Sequence, residues 1–176
     1  MVPGQESTVR DRLILARIEL YGTNKPHEGD QMETIVVAMN GSEEAAASLE
    51  FAVKEAALRG ARLRLVSAWE VPSSILGSGV AGREMYDDFR ENAETVAAEA
   101  AARVAELDSS VQVETRVAKG QLGNALLEES RDASMIVVAR RAHGGLRELV
   151  LGSVARQTLA HAEIPVLVVH THIGNK

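Results

Sequence analysis

The chain has 176 residues, of which 45% are hydrophobic and 3% aromatic, a formal charge of −6 and no cysteine. That length and apolar content fit one domain with a buried core and rule out wholesale disorder. The acidic balance and the scarcity of rings argue against a nucleic-acid binder, and the lack of cysteine removes disulfides, thiol catalysis and thiolate metal ligands.

Residues 1–31 hold two of the four prolines, several glycines and one weak helical pattern from Arg10 to Tyr21. They are expected to form an N-terminal extension, mobile or docked on a neighbouring chain, with residues 32–176 forming the domain. Leu13-Ile14-Leu15-Ala16 is too short for a secretory apolar region and is interrupted by Asp11, Arg17 and Glu19. No apolar stretch approaches the roughly 20 residues that span a bilayer, so a cytoplasmic location is expected.

From Glu33 onward strand and helix alternate. Thr34 to Met39 is a continuous apolar run, as expected of a strand covered on both faces. Ser42 is placed to cap the next helix, Glu43 and Glu44 suit its positive end, and Gly60 ends it. Arg62 to Trp69 reads as the second strand. A loop is expected from Glu70 to Gly82, followed by a long amphipathic helix marked by Met85, Phe89, Ala93, Val96, Ala100, Val104 and Leu107. Val111, Val113, Thr115 and Val117 alternate with polar residues, the pattern of a half-exposed edge strand. Helix 122–131, strand Ser134 to Ala139, helix Gly152 to Ala162 and strand Pro165 to His170 complete the chain. This order predicts an α/β fold: a doubly wound, five-stranded parallel sheet between helical layers, with right-handed crossovers.

Ligands of such sheets bind beyond the carboxyl ends of the strands, where the winding reverses. The first and fourth strands are the most apolar and are expected side by side there. They deliver Asn40-Gly41-Ser42 and segment 140–153 to one crevice. Arg140, Arg141, His143 and Arg147 concentrate positive charge in an otherwise acidic chain, so an anion is the expected guest. Gly152-Ser153 opens the last helix with unpaired N–H groups and a positive dipole end. The same pair also reads as an ordinary cap, and the basic loop as an ordinary solvated one.

The stretches Ile35-Val36-Val37-Ala38-Met39-Asn40-Gly41-Ser42, Ala68-Trp69-Glu70-Val71-Pro72, Gly144-Gly145-Leu146, Leu151-Gly152-Ser153-Val154 and Ile164-Pro165-Val166-Leu167-Val168-Val169 occur in order. Together they resemble the universal stress protein family over Glu33 to His170. The resemblance implies strand order 3-2-1-4-5 and a homodimer built through the last strand. It also implies a nucleotide site at Asn40, Ala68, Val138, Ala139, Arg140, Ala142, Gly152, Ser153 and Val154, with no metal and no catalytic residue. Nucleotide-binding relatives carry Gly-x-x-Gly, nine residues, then Gly-Ser or Gly-Thr. Here Ala139-Arg140-Arg141-Ala142 precedes the nine residues His143 to Leu151 and then Gly152-Ser153.

The spacing is kept while both leading glycines are alanine. Asn40 stands where an aspartate is usual, Ala68 where a valine can touch adenine, and Ala155 replaces a frequent hydroxyl residue. An alanine forced into a left-handed conformation costs roughly 1–2 kcal/mol. Two such penalties would weaken binding by about tenfold to a thousandfold. Asn40 keeps an acceptor oxygen without the charge, and Arg140 and Arg141 can pair with phosphate oxygens instead.

Gly77-Ser78-Gly79-Val80-Ala81-Gly82 matches a dinucleotide fingerprint but does not follow a strand directly, as that motif requires. His170 and His172 lack a third metal ligand, and no Gly-x-Ser-x-Gly elbow is present. The expected function is a cytoplasmic, homodimeric stress-response protein without catalysis, requiring no cofactor and binding ATP or AMP weakly or not at all. It would act through unidentified protein partners rather than nucleic acid or membrane. Two alternatives stay open: an ATP or AMP sensor in which nucleotide orders segment 140–152, and a slow ATPase with His143 as its one candidate base.

Overall fold

The computed structural model describes residues 32–76, 82–140 and 151–170. The expectations for residues 1–31, for most of the Gly77–Gly82 fingerprint, for Arg141, Ala142, His143 and Arg147, and for His172 lie outside the described residues.

Apolar runs without alternation become the inner strands. β1 (Thr34–Ala38) is buried at every position and β4 (Met135–Ala139) at its first four, as strands covered on both faces must be. β2 (Arg62–Trp69), β3 (Val113–Lys119) and β5 (Val166–Val169) complete a parallel sheet. Its order is β3-β2-β1-β4-β5, as the resemblance implies.

Among the described residues five helices accompany the strands: α1 (Glu43–Arg59), α2 (Ser73–Leu76), α3 (Arg83–Leu107), α4 (Leu122–Glu128) and α5 (Ser153–His161). The limits of α1 are set by its caps. Ser42 Oγ accepts the N–H of Ala45 at 3.2 Å, and Gly60 adopts φ 63° at the far end, a conformation that costs glycine no Cβ clash. Side-chain alternation gives the sheet two cores. On one face Ile35, Val37, Leu63, Leu65 and Val137 pack with Leu49 of α1 and Val104 of α3. On the other, Val36, Val66, Ile136 and Val138 pack with Leu126 of α4 and Ala155 of α5. Burying each Leu or Ile in these cores stabilises the fold by about 1.5–3 kcal/mol relative to leaving it exposed.

Two differences from the expected elements have physical causes. The loop after β2 contains the single turn α2, begun where the N–H of Ile75 donates to the carbonyl of Pro72 at 2.9 Å. Helix α4 stops at Glu128 because the Glu129 carbonyl is taken by Arg64 Nη1 at 2.6 Å. Arg64 is a buried cation on β2, 6% exposed. Its Nε donates to Glu114 of β3 at 2.5 Å, and its two Nη groups hold both Asp132 oxygens, at 2.5 and 3.0 Å. Such a bidentate fork satisfies the charge that burial would otherwise penalise, and it ties β2, β3 and the α4–β4 turn together.

Candidate functional site

β1 and β4 pair directly, Ile35 with Met135 and Val37 with Val137. From their carboxyl ends the chain departs to opposite sides, because α1 belongs to one core and α5 to the other. The strand ends therefore face a crevice at the switch in winding, where sheets of this kind take ligands.

At the β1 end, the Met39 N–H still donates to the Val66 carbonyl at 2.8 Å, and the ladder stops there. Asn40 is exposed, and its Oδ1 accepts the N–H of Ser42 at 3.1 Å. Its acceptor thus braces the turn into α1, leaving one lone pair and the amide N–H groups for a guest. Gly41 inside this turn has φ 74°, and a Cβ there would lie 3.2 Å from Val96 Cγ2 of α3. Both the backbone angle and the contact favour glycine.

At the β4 end, Ala139 pairs with Val169 of β5, and the Arg140 N–H donates to the Val169 carbonyl at 2.9 Å. No non-glycine residue among those described has a positive φ. The left-handed penalty expected from the first lost glycine is therefore absent at Ala139, which simply ends a strand. Val137 belongs to the α1 side and Val138 to the α5 side, so alternation turns the Ala139 methyl toward α1. The Arg140 side chain is half-buried, with Nη1 3.4 Å from Nδ1 of His170, the residue that follows β5. His170 was singled out in the sequence only as half of a histidine pair. Its place beside Arg140 follows from the β4–β5 register, since each is the first residue after its strand.

Helix α5 begins at Gly152, an extended N-cap without a side-chain cap bond. Its first ladder bond runs from the Arg156 N–H to the Gly152 carbonyl at 3.0 Å. The N–H groups of Ser153, Val154 and Ala155 precede that ladder, and such donors together with the dipole favour an anion. Ser153 is exposed and Val154 is half-buried against the core. Ala155, where a hydroxyl was expected to be missing from the site, is 1% exposed and packs in the core beneath α5. Val138 is likewise 1% exposed, so its side chain offers no surface to a ligand. Ala68 is half-buried near the end of β2, in register with Ala118 of β3.

The structure thus gathers Asn40, Ala139 and Arg140 at the ends of the adjacent strands β1 and β4 and adds His170 from β5. Gly152 and Ser153 open α5 on the face to which alternation assigns Arg140. A surface cavity of about 420 Å³ lies at the opposite end of the fold, lined in part by Asn124, Glu128, Arg131 and His161. It mixes charges of both signs. Among the described residues, no group of three or more histidines and carboxylates is arranged to hold a metal, and no helix is long and apolar enough to cross a membrane.

A model of the universal stress protein family matches residues 32–170. A universal stress protein of Mycobacterium tuberculosis is 32% identical over 142 residues, covering 81% of this chain and 50% of that relative. The chain therefore spans about half the length of that relative. Another, from Thermus aquaticus, is 33% identical over 139 residues, covering 78% of this chain and 98% of the relative. The solved universal stress protein of Archaeoglobus fulgidus in complex with dAMP aligns with a TM-score of 0.57 at 22% identity, over 78% of this chain and 97% of that one. That likeness is one of fold.

Proposed function

The chain belongs to the universal stress protein family, and from that premise we propose that it is a non-enzymatic regulator that takes adenine nucleotides with low affinity. The supporting observation is the meeting of Arg140 with the ends of β1 and β4, on the face where α5 presents an uncapped first turn. The Archaeoglobus fulgidus protein of the same fold holds dAMP, a ligand with the anionic group that such a corner favours. Low affinity follows from Asn40 in place of a charged acceptor.

The edge strand β5, with four half-buried apolar residues, supports a homodimer in which a second copy covers that edge. Regulation would then run through the dimer's contacts with other proteins, in the cytoplasm. A sensor with tighter nucleotide binding is the second reading, and the unstrained Ala139 favours it, because half of the expected penalty is gone.

Calorimetric titration of nucleotide-free protein with ATP and AMP separates the two. Dissociation constants above about 10 µM are expected, and low-micromolar values would make the sensor the correct reading. In the same assay Asn40→Asp should tighten ATP binding severalfold, while Ala139→Gly should change it less than about twofold. Phosphate release from ATP should stay at the buffer rate with and without magnesium. Sedimentation velocity at micromolar concentration should show a dimer, and a monomer there would remove the proposed role of β5.

A further inference from the structure

We propose that Asn40 is a self-modifying position, at which the Gly41 nitrogen expels the side-chain amide and leaves an aspartate in its place. The modification stands on the turn between β1 and α1 alone. Its consequence for ligands rests on the nucleotide-binding reading above.

Of the asparagines in the chain, Asn40 is the one followed by glycine. Asparagine is a thermally labile side chain, and a glycine after it has no Cβ to keep its nitrogen away from the amide carbon. Asn40 and Gly41 are both exposed, so water reaches them. Asn40 Oδ1 accepts the Ser42 N–H at 3.1 Å. A backbone N–H only donates, so the amide oxygen is the end that faces it. That bond curls the side chain forward over the peptide unit carrying the Gly41 nitrogen. It also draws electrons from Cγ, the atom to be attacked. Among the described residues the Gly41 N–H donates to no carbonyl. Nor can the turn shed its glycine, since φ is 74° and a Cβ would lie 3.2 Å from Val96 Cγ2. The labile pair is thus built into the geometry that starts α1.

In the first step the Gly41 nitrogen loses its proton and bonds to Cγ. The Cγ–Nδ2 bond breaks, and Nδ2 departs as ammonia. Water then adds at Cγ of the succinimide, the new N–Cγ bond breaks, and the main chain is restored with a carboxylate at position 40. Water is the sole co-reactant, and nothing is oxidised or reduced. Opening at the other carbonyl would add a methylene to the main chain, in a turn that Val96 leaves without room and that holds the cap of α1. Aspartate is therefore the favoured product. Its carboxylate keeps the Ser42 N–H in a charge-assisted bond near the positive end of α1. It also offers a guest an acceptor where the amide offered donors. Ageing converts the weakly binding chain into one with the residue usual among nucleotide-binding relatives.

The test keeps the full chain folded in mildly alkaline buffer made with heavy-oxygen water and follows its asparagines by peptide mass spectrometry over several weeks. Asn40 should become an aspartate carrying one heavy oxygen. Asn92 and Asn124, which precede alanines inside α3 and α4, should stay amides. The same chain in urea gives the rate without the turn. If Asn40 stays an amide in the folded chain while the unfolded chain converts, the turn protects it and the proposal is wrong. An isoaspartyl product alone would mean damage in place of a switch and would overturn it equally. In calorimetry, aged wild type should bind ATP severalfold tighter than fresh protein and match Asn40→Asp, while Asn40→Gln should not change with age. If the aspartate forms, but aged wild type and Asn40→Asp both bind ATP as fresh protein does, the modification stands and the nucleotide reading of Asn40 fails.

Discussion

Replacing Arg64 by methionine isolates the largest polar commitment in the fold. The variant keeps a long side chain for packing but removes four hydrogen bonds: one to Glu114, one to the Glu129 carbonyl and two to Asp132. Removing one partner of a fully buried pair costs about 3–5 kcal/mol. Here the carboxylates can recover part of that. The Asp132 side chain is 63% exposed and can turn to water, while Glu114, 23% exposed, keeps a bond to Arg116 at 3.0 Å. The expected loss is therefore about 2 kcal/mol near neutral pH.

The pH dependence has a definite sign. The hydrogen bond from Arg64 holds the Asp132 carboxyl below its ordinary range. At Glu114 burial pushes upward, but the bond and charge of Arg64 outweigh it and the net shift is also downward. Both folded values lie below the unfolded ones, so the stabilisation is complete above about pH 4–5 and fades as pH falls through the folded values. Urea unfolding, followed by the fluorescence of Trp69, the single tryptophan, measures the difference at each pH. A gap below about 0.5 kcal/mol near neutral pH would show that surface-strength pairing was mistaken for a structural tie. So would a gap that does not narrow in acid.

Two further stability changes follow from local geometry. Gly60→Ala should cost about 1–2 kcal/mol, because φ is 63° and open space surrounds the new methyl. Gly41→Ala should cost more, since φ is 74° and Val96 Cγ2 lies 3.2 Å away; equal losses would discount that contact. Thr158 is fully buried, and its Oγ1 has no hydrogen-bond partner among the described residues. Thr158→Val should therefore raise stability by about 1 kcal/mol in thermal unfolding, and a loss would mean that the hydroxyl has a partner.

Much of the fold was legible because the local signals agree with the sheet. The limits of β2 and the caps of α1 follow directly from Arg62, Trp69, Ser42 and Gly60. The turn α2 escaped notice because four residues after a proline carry no periodicity. The end of α4 was misplaced by three residues because a long-range partner, Arg64, claims a carbonyl that local pattern assigns to the helix. That partner had left a signal: Arg62 and Arg64 alternate with Leu63 and Leu65, which marks a polar row on one face of an inner strand. In the site, the motif located Arg140, Gly152 and Ser153. It could not show that Ala139 is unstrained or that Ala155 faces the core, since both depend on where strand and helix begin and end.

The two borders of the sheet are chemically unlike. Along β3, Glu114, Arg116 and Lys119 interrupt the apolar residues, whereas β5 is Val-Leu-Val-Val throughout. Charges on a border strand discourage a stranger from adding to it. Any lengthening of this sheet is consequently confined to one side. Two copies meeting there by twofold rotation would each spend their sole receptive border, leaving charged strands outermost. Such growth terminates at its first step instead of propagating into a fibre.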